Sequence, residues 1–251
     1  MNSIRRRKMV TVFVISLTTQ QTLAQFTPSK WEVGLNIGTL VYQGDLSQGY
    51  FGYTNSLKPS VEIWVSKSLD PYFSIRANIL QGSLSADEST YAAPSWVRHR
   101  NLAFSTPVTE VSAELVWDIN GKTFREGMRR FSPYLFVGAG FSLLDVNRDW
   151  SRFDTNYFNA NSTAGHGLGV DTLHQTPGFL PVLPVGAGLR YLVGRQIFIN
   201  LEGTYRFTAS DYIDGFSYAG NPARKDQYYG ITLGISYRFG WEGISCPKVV
   251  L

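Results

Sequence analysis

Cysteine occurs once in the 251 residues, at Cys246, so no disulfide can form within the chain, and its distance from the N-terminus excludes a lipoprotein anchor. Charged side chains are scarce, at 17% against about 25% in soluble domains. Histidine appears three times, and His166 and His174 have no Cys or carboxylate at the spacing that structural metal sites show. The formal net charge is +4, which the cluster Arg5, Arg6, Arg7 and Lys8 matches by itself. The remainder is near neutral and offers no basic face for a nucleic acid. No apolar run approaches the ~20 residues of a membrane helix. A membrane location would therefore require a closed barrel, because only helices and barrels satisfy every backbone group in lipid.

What the sequence does contain is aromatic residues, at 14%, and 24 glycines. Its basic N-terminal cluster precedes the apolar segment Met9–Leu17 and then Thr22 and Ala24 ahead of Gln25. Basic, apolar and small-residue regions in that order predict a cleaved secretory signal peptide over 1–24. An export signal leaves 25–240 as the folded domain and 241–251 as a C-terminal tail.

Strict alternation recurs along that domain. In DQYYGITLGISYRFG, large apolar residues occupy Tyr229, Ile231, Leu233, Ile235, Tyr237 and Phe239, while Gly230, Thr232, Gly234, Ser236 and Arg238 lie between them. A period of two is the mark of a strand with two unlike faces. The same pattern predicts strands over 31–41, 57–67, 71–83, 109–119, 131–143, 181–193 and 196–208, eight in all. Trp64 is out of phase with its strand. Upstream of Pro107 the phase also reverses, at Leu102 and Phe104, which predicts a bulge or a loop boundary there.

The connections alternate between long (42–56, 84–103, 144–180, 209–226) and shorter ones (68–70 and 194–195 short, 120–130 intermediate). Sorting by parity is what an outer-membrane barrel with both ends in the periplasm does, and a soluble sandwich has no reason to copy it. The expected fold is all-β: an eight-stranded antiparallel transmembrane barrel with short periplasmic turns and long extracellular loops. Trp31, Trp117, Phe131, Tyr191, Tyr237 and Phe239 fall at the periplasmic ends, and Phe141, Tyr205, Phe207 and Tyr229 toward the other rim. Belts of this kind anchor at headgroup level.

On the opposite face, the inward positions collect Glu32, Glu62, Glu110, Glu114 and Glu202 against Arg76, Arg190, Arg206 and Arg238. Eight strands enclose a bore just wide enough for their own side chains. These residues are read as a structural charge network that plugs the lumen and leaves little room for conduction.

The histidines all fall in the expected external loops. His99 with Ser95, His166 with Ser162, and Asp171 near His174 are the candidate neighbours for a triad acting on lipid. Polar loops supply such neighbours by chance, so no catalytic residue, metal or cofactor is assigned. The glycines of HGLGVDT (166–172) read as loop flexibility rather than a phosphate cradle, because no helix follows. Asn161-Ser162-Thr163 matches a glycosylation acceptor by coincidence. The turn NGKTFREGMRR (120–130) is basic, and its Lys122, Arg125, Arg129 and Arg130 are candidate contacts for a periplasmic partner or anionic headgroups, with a solvated turn as the simpler reading.

Several stretches resemble the PorG-like outer-membrane proteins: VYQGDL (41–46), SPYLFVGAGF (132–141), LPVGAGLRY (183–191), FTASDYIDGFSYAGNPARKDQYYGITLGISYRF (207–239), and the pair Cys246-Pro247 after the last strand. Gly215 and Phe216 depart from the family's usual Asp-Val, and 144–180 matches no part of it. The resemblance implies a non-enzymatic barrel whose periplasmic side tethers a type IX secretion assembly. Its expected partners are outer-membrane lipid and the periplasmic or outer-membrane subunits of that assembly, with no small-molecule substrate. By matching position, Cys246 would pair with a partner subunit through a disulfide in an oxidising compartment. Two other roles stay open: adhesion or surface recognition through the external loops, and a lipid-modifying enzyme at the rim.

Overall fold

The computed structural model of the chain describes residues 31–239 apart from 48, 50, 55–56, 122–129, 195 and 223–224. The expected signal peptide, the tail 241–251 with Cys246, and Lys122, Arg125 and Arg129 lie outside the described residues.

Alternating sequence produces alternating burial. The barrel strands are β1 (Trp31–Gln43), β2 (Lys58–Ser68), β3 (Phe73–Asp87), β4 (Ala103–Asp118), β5 (Phe131–Leu144), β7 (Phe179–Leu192), β8 (Ile197–Thr208) and β9 (Gln227–Arg238). A three-residue strand, β6 (Asn147–Asp149), adds to the outer end of β4. Each barrel strand pairs antiparallel with its two neighbours; β3 meets β4, and β1 meets β9 from Glu32↔Arg238 to Gln43↔Gln227. The cylinder has no open edge, which removes the unpaired backbone groups lipid cannot satisfy.

Polarity is inverted relative to a water-soluble protein. Outward Ile37 and Ile63 are each 61% exposed, whereas their inward neighbour Glu62 is 2% exposed. Only a hydrocarbon surround makes this arrangement stable, since each bare aliphatic side chain would otherwise cost about 1.5–3 kcal/mol in water. Outward aromatics mark the edges of the apolar band. Trp31, Trp117, Phe131 and Phe239 are exposed at the turn end, as are Phe141, Phe179 and Phe207 toward the loop end. Ten residues separate Phe131 from Phe141, which at ~3.4 Å per residue and ~40° of tilt is roughly 25 Å of height.

Inward glycines make room for inward rings. A Cβ on Gly34 would fall on the indole of Trp64, its register partner, and one on Gly188 would fall on the phenol of Tyr134. Trp64 is thus not an irregularity of β2: it is 2% exposed and occupies the lumen space that Gly34 vacates.

The expected break at Pro107 does not occur. Strand β4 runs unbroken through it, and Phe104, Thr106, Val108 and Glu110 all point inward. What changes is the interior itself. Above Glu110 the lumen turns apolar, so Leu102 and Phe104 join Leu40, Leu80, Leu84, Leu144, Leu180 and Val182 in one buried cluster under the loops. Pro107 sits between the ladder to β5, which ends at Val108, and the ladder to β6, which begins at Ser105. A missing N–H is tolerated in that gap.

The loop end carries a 3-10 turn (Glu88–Thr90) and helices α1 (Ser95–Arg100) and α2 (Thr163–Leu173). Helix α2 contains the glycine-rich segment expected to be flexible loop; instead Ser162 caps it, accepting the Gly165 N–H at 3.1 Å. The cap residue overrides the glycines' weak helix propensity.

Candidate functional site

Strand register places the lumen charges in layers. At the turn end, Arg238 Nη2 lies 2.9 Å from Glu32, its register partner, and Arg190 reaches Glu32 at 3.6 Å and Asp118 at 3.0 Å. Ser236 donates to Glu32 at 2.9 Å and Asn200 to Ser236 at 3.0 Å. At mid-height, Arg76 bridges Glu114 at 2.6 Å and Glu202 at 2.8 Å, and the Tyr134 hydroxyl donates to Glu202 at 2.7 Å. The Arg76 guanidinium also lies 4.5 Å from the Phe136 ring and 5.5 Å from that of Trp64. Above it Arg206 pairs with Glu110 at 2.8 Å, and Tyr228 donates to the same carboxylate at 2.8 Å.

All nine residues expected to fill the lumen are buried there. Among the described residues, no arginine lies within ion-pair distance of Glu62, which accepts instead from the amides of Asn36 at 3.1 Å and Asn78 at 2.5 Å. One member was missed. Asp118 is fully buried and pairs with Arg190, although its even number, shared with Glu110 and Glu114, put it on the inner face. Six carboxylates and four guanidiniums, each with partners on other strands, form a packed interior rather than a channel.

Over this lumen the long connections fold together as a cap. Arg100 carries a buried ion pair with Glu88 and donates through Nη1 to the Ala219 carbonyl at 2.8 Å, tying the β3–β4 loop to the β8–β9 loop. Glu88 also accepts the Leu102 N–H at 3.0 Å. Asp171 of α2 is fully buried and accepts the backbone N–H groups of Ser217, Tyr218 and Ala219 at 3.1, 3.1 and 2.8 Å. Arg148 of β6 donates to the carbonyls of Asp171 at 2.6 Å, Gly215 at 3.0 Å and His174 at 3.0 Å, satisfying the C-terminal end of α2.

Where cap meets barrel, the Tyr42 hydroxyl stands 2.6 Å from both Asp214 and Asp226. One hydroxyl proton cannot serve two carboxylates, so this arrangement favours a second proton on one of the acids. Burial pushes Asp226 up to about 7, with the charges of Asp45 and Asp211 adding to the effect. Burial and the neighbouring Asp226 likewise raise Asp214 well above the ordinary carboxylate range. Asp226 also accepts the Ile213 N–H at 3.0 Å, and Asp214 the Phe216 N–H at 2.8 Å. Gly44-Asp45-Leu46 and the segment 211–217, met in the sequence as short motifs, are therefore the pieces that seat the cap; Leu46, Ile213 and Phe216 are buried in the apolar cluster.

The three histidines do not assemble the suggested sets. His99 stacks on Tyr157 with ring centroids 4.1 Å apart, and its Nδ1 lies 2.9 Å from Asp154, a partner no local spacing indicated. That hydrogen bond holds Asp154 below the usual carboxylate range. His174 stacks on Tyr212 at 4.0 Å, while the Asp171 carboxylate turns to the backbone of 217–219. Ser162, which caps α2, does not reach the His166 ring. No serine hydroxyl bonds an imidazole among the described residues. Nor do any three His, Cys, Asp or Glu side chains among them converge as a metal site. At the turn end Arg130 is exposed, its Nη1 3.5 Å from the Tyr191 hydroxyl and its carbonyl accepting the Leu192 N–H at 2.8 Å.

Two cavities open in the cap. One, of about 370 Å³, is walled by Trp150, Phe153 and Phe158 against the Gly165–Thr172 face of α2. The other, of about 420 Å³, lies between Asp45, Trp96, Arg100 and Asn221.

Three solved structures illustrate the likeness to known barrels. Neisserial surface protein A is 14% identical with a TM-score of 0.46, covering 83% of this chain and 97% of its own. Ail, the attachment invasion locus protein of Yersinia pestis, is 13% identical with a TM-score of 0.45, covering 84% and 99%. OprG of Pseudomonas aeruginosa is 8% identical with a TM-score of 0.44, covering 84% and 96%. Among curated proteins none matches the sequence. Residues 10–239 match the outer membrane protein beta-barrel domain, which with the closed eight-strand ladder and the inverted polarity makes the chain a member of that outer-membrane barrel family.

Proposed function

We propose that this outer-membrane barrel is a non-conducting, non-enzymatic anchor for a type IX protein secretion assembly, acting through its periplasmic face. The carrying observation is the filled and capped lumen: Arg76, Arg190, Arg206 and Arg238 are each locked to carboxylates, and the cap lies over them. With nothing able to pass through the cylinder, function falls to its two faces. The PorG-like stretches at 41–46 and 207–239 favour a secretion partner, and the basic turn 120–130 with the tail 241–251 is the surface assigned to it. On this reading Cys246 supplies the thiol for a partner disulfide. Co-purification of the tagged barrel from native outer membranes tests the assignment. Periplasmic secretion subunits should come down with the full chain, and their recovery should fall when Gly240–Leu251 is deleted and Lys122, Arg125, Arg129 and Arg130 become serine. Recovery of no such subunit would overturn the role. Undiminished recovery with the altered chain would overturn the assigned surface.

A second reading is favoured by the cap itself, whose loops are cross-tied into a fixed surface with two cavities. Such a surface suits recognition of a ligand outside the cell. Exchange of the 88–102 and 209–226 loops for unrelated ones should then abolish surface binding while leaving the secretion contact in place.

A further inference from the structure

We propose that Glu62 is a proton-binding site: it stands in the lumen as the neutral acid, donating its hydrogen to the side-chain oxygen of Asn78. The inference is independent of the role assigned to the periplasmic face.

Charge balance in the bore points to a bound proton. At the turn end Glu32 and Asp118 meet Arg190 and Arg238, and that layer is even. The layers above hold Glu62, Glu110, Glu114 and Glu202 against Arg76 and Arg206 alone. The remaining buried charges among the described residues belong to the cap and its seat. Fully ionised, the middle of the barrel would carry two negative charges in excess, inside a wall surrounded by hydrocarbon. A carboxylate removed from water without a counter-charge takes up a proton instead.

Partners single out which carboxyl carries it. Glu110 receives Arg206 and the Tyr228 hydroxyl, each at 2.8 Å. Glu114 and Glu202 share Arg76, with Ser112 donating to the first at 3.2 Å and Tyr134 to the second at 2.7 Å. The second excess charge is thus spread over a set of donors that includes a guanidinium. Glu62 has only two neutral amides. The charged groups acting on it from other strands are Glu202, Arg76, Arg206 and Glu114, and none of them bonds it.

An independent sign comes from Asn78. Its side chain is 1% exposed and lies against Glu62, yet its Oδ1 has no donor among the described residues. Buried amide oxygens are seldom left so. A half-turn of the amide exchanges its oxygen and nitrogen without changing its shape. Oδ1 then meets Glu62 Oε1, and two oxygens bond only through a hydrogen, which the acid supplies. One proton therefore removes a buried charge and satisfies an orphaned acceptor. The other amide cannot turn in the same way: Asn36 Nδ2 donates to Glu62 Oε2 at 3.1 Å while its Oδ1 accepts the Trp64 indole N–H at 3.3 Å. Oε2 stays an acceptor, and the hydrogen belongs on Oε1. A metal ion in its place is disfavoured, because Asn36 turns an N–H toward the acid and no three acidic or imidazole side chains converge among the described residues.

The test is infrared spectroscopy of the full chain in phospholipid vesicles at neutral pH, with isotope-labelled glutamate carboxyls that separate their C=O band from that of the cap aspartates. A band of protonated glutamate is expected in the unaltered protein. It should weaken in Glu62→Gln and keep its strength in Glu110→Gln. Glutamine copies the neutral acid and its NH2 can serve Asn78 Oδ1, so the urea midpoint of Glu62→Gln should not move. Glu110→Gln strands Arg206 and should unfold at lower urea. Gel mobility before and after boiling reports whether each variant is folded. Absence of the band from the unaltered protein overturns the proposal with no variant needed. A band of full strength in folded Glu62→Gln overturns it as well, as does a loss of midpoint equal to that of Glu110→Gln. Replacing sodium and potassium by a bulky organic cation should leave the band unchanged; a band that appears only after the exchange shows a metal ion where the proton was placed, and overturns the proposal too.

Discussion

At the scale of single residues, Arg76 shows how the interior is held. It is 1% exposed, serves Glu114 and Glu202 on two other strands, and lies against two aromatic rings. Replacing one partner of a buried pair leaves uncompensated charge, whereas replacing the whole set removes the difficulty. Arg76→Met should therefore cost about 3–5 kcal/mol of stability in denaturant unfolding from vesicles, and the triple change Arg76→Met, Glu114→Gln, Glu202→Gln should recover most of it. If the single and triple variants lose the same amount, the arginine is acting through packing alone. These charges were legible in the sequence because a period of two assigns each residue to a face. Asp118 escaped because it stands at the end of its strand, between the outward residues Trp117 and Ile119, where the aromatic belt dominates the pattern. His99–Asp154 was not legible at all: 55 positions separate the two, and only the folded cap joins them.

At the scale of elements, the same alternation carries different meanings along one strand. In β4 the inward positions pass from Phe104 to Glu110 without changing face, and what differs is the surroundings they enter. Period-two patterning reports a face, not what lies on it, so an apolar interior above a charged one looks in sequence like a slipped register. Helix α2 was hidden for a related reason, since its glycines mask a helix that the Ser162 cap and the buried Asp171 contacts secure. The junction of cap and barrel should respond to pH. Asp226 rises from a usual value near 4 in the unfolded chain to about 7 in the folded one, and Asp214 moves in the same direction. Protons held more tightly when folded stabilise the cap fully below about pH 4, and that contribution is lost as pH rises through about 7. Facing the pair are Tyr42 from β1, Asp45 from the first loop and Asp211 from the last, with Lys225 near Asp211 as the cation. Amide protection factors over 211–219 should fall between about pH 5 and about pH 9, and the fall should flatten in Asp214→Asn. Equal protection at both values would show that the pair does not anchor the cap.

For the molecule as a whole, strand count, pairing order and orientation follow from the parity of loop lengths and the unlike faces of each strand. That much was written in the sequence, because lipid imposes the same rule on every strand. How the 145–178 segment folds was not, since its cross-ties through Arg148 and Asp171 join positions far apart in the chain. The filled bore predicts an electrical property. Reconstituted in planar bilayers, the barrel should show no steady conductance above the bare membrane, and discrete openings in the intact protein would contradict the packed interior.

The seam between β1 and β9 bears on how the cylinder is made. Its two halves are β1 and β9, so both ladders stay bare until β9 is in place, and whatever machinery receives the chain must shield both. Once zipped, Trp31 and Phe239 emerge side by side, with the Phe239 N–H on the Trp31 carbonyl at 2.7 Å. A short peptide linker across that gap, paired with a cut in an outer loop, would give a circular permutant that keeps every wall contact while changing which staves come off the ribosome first.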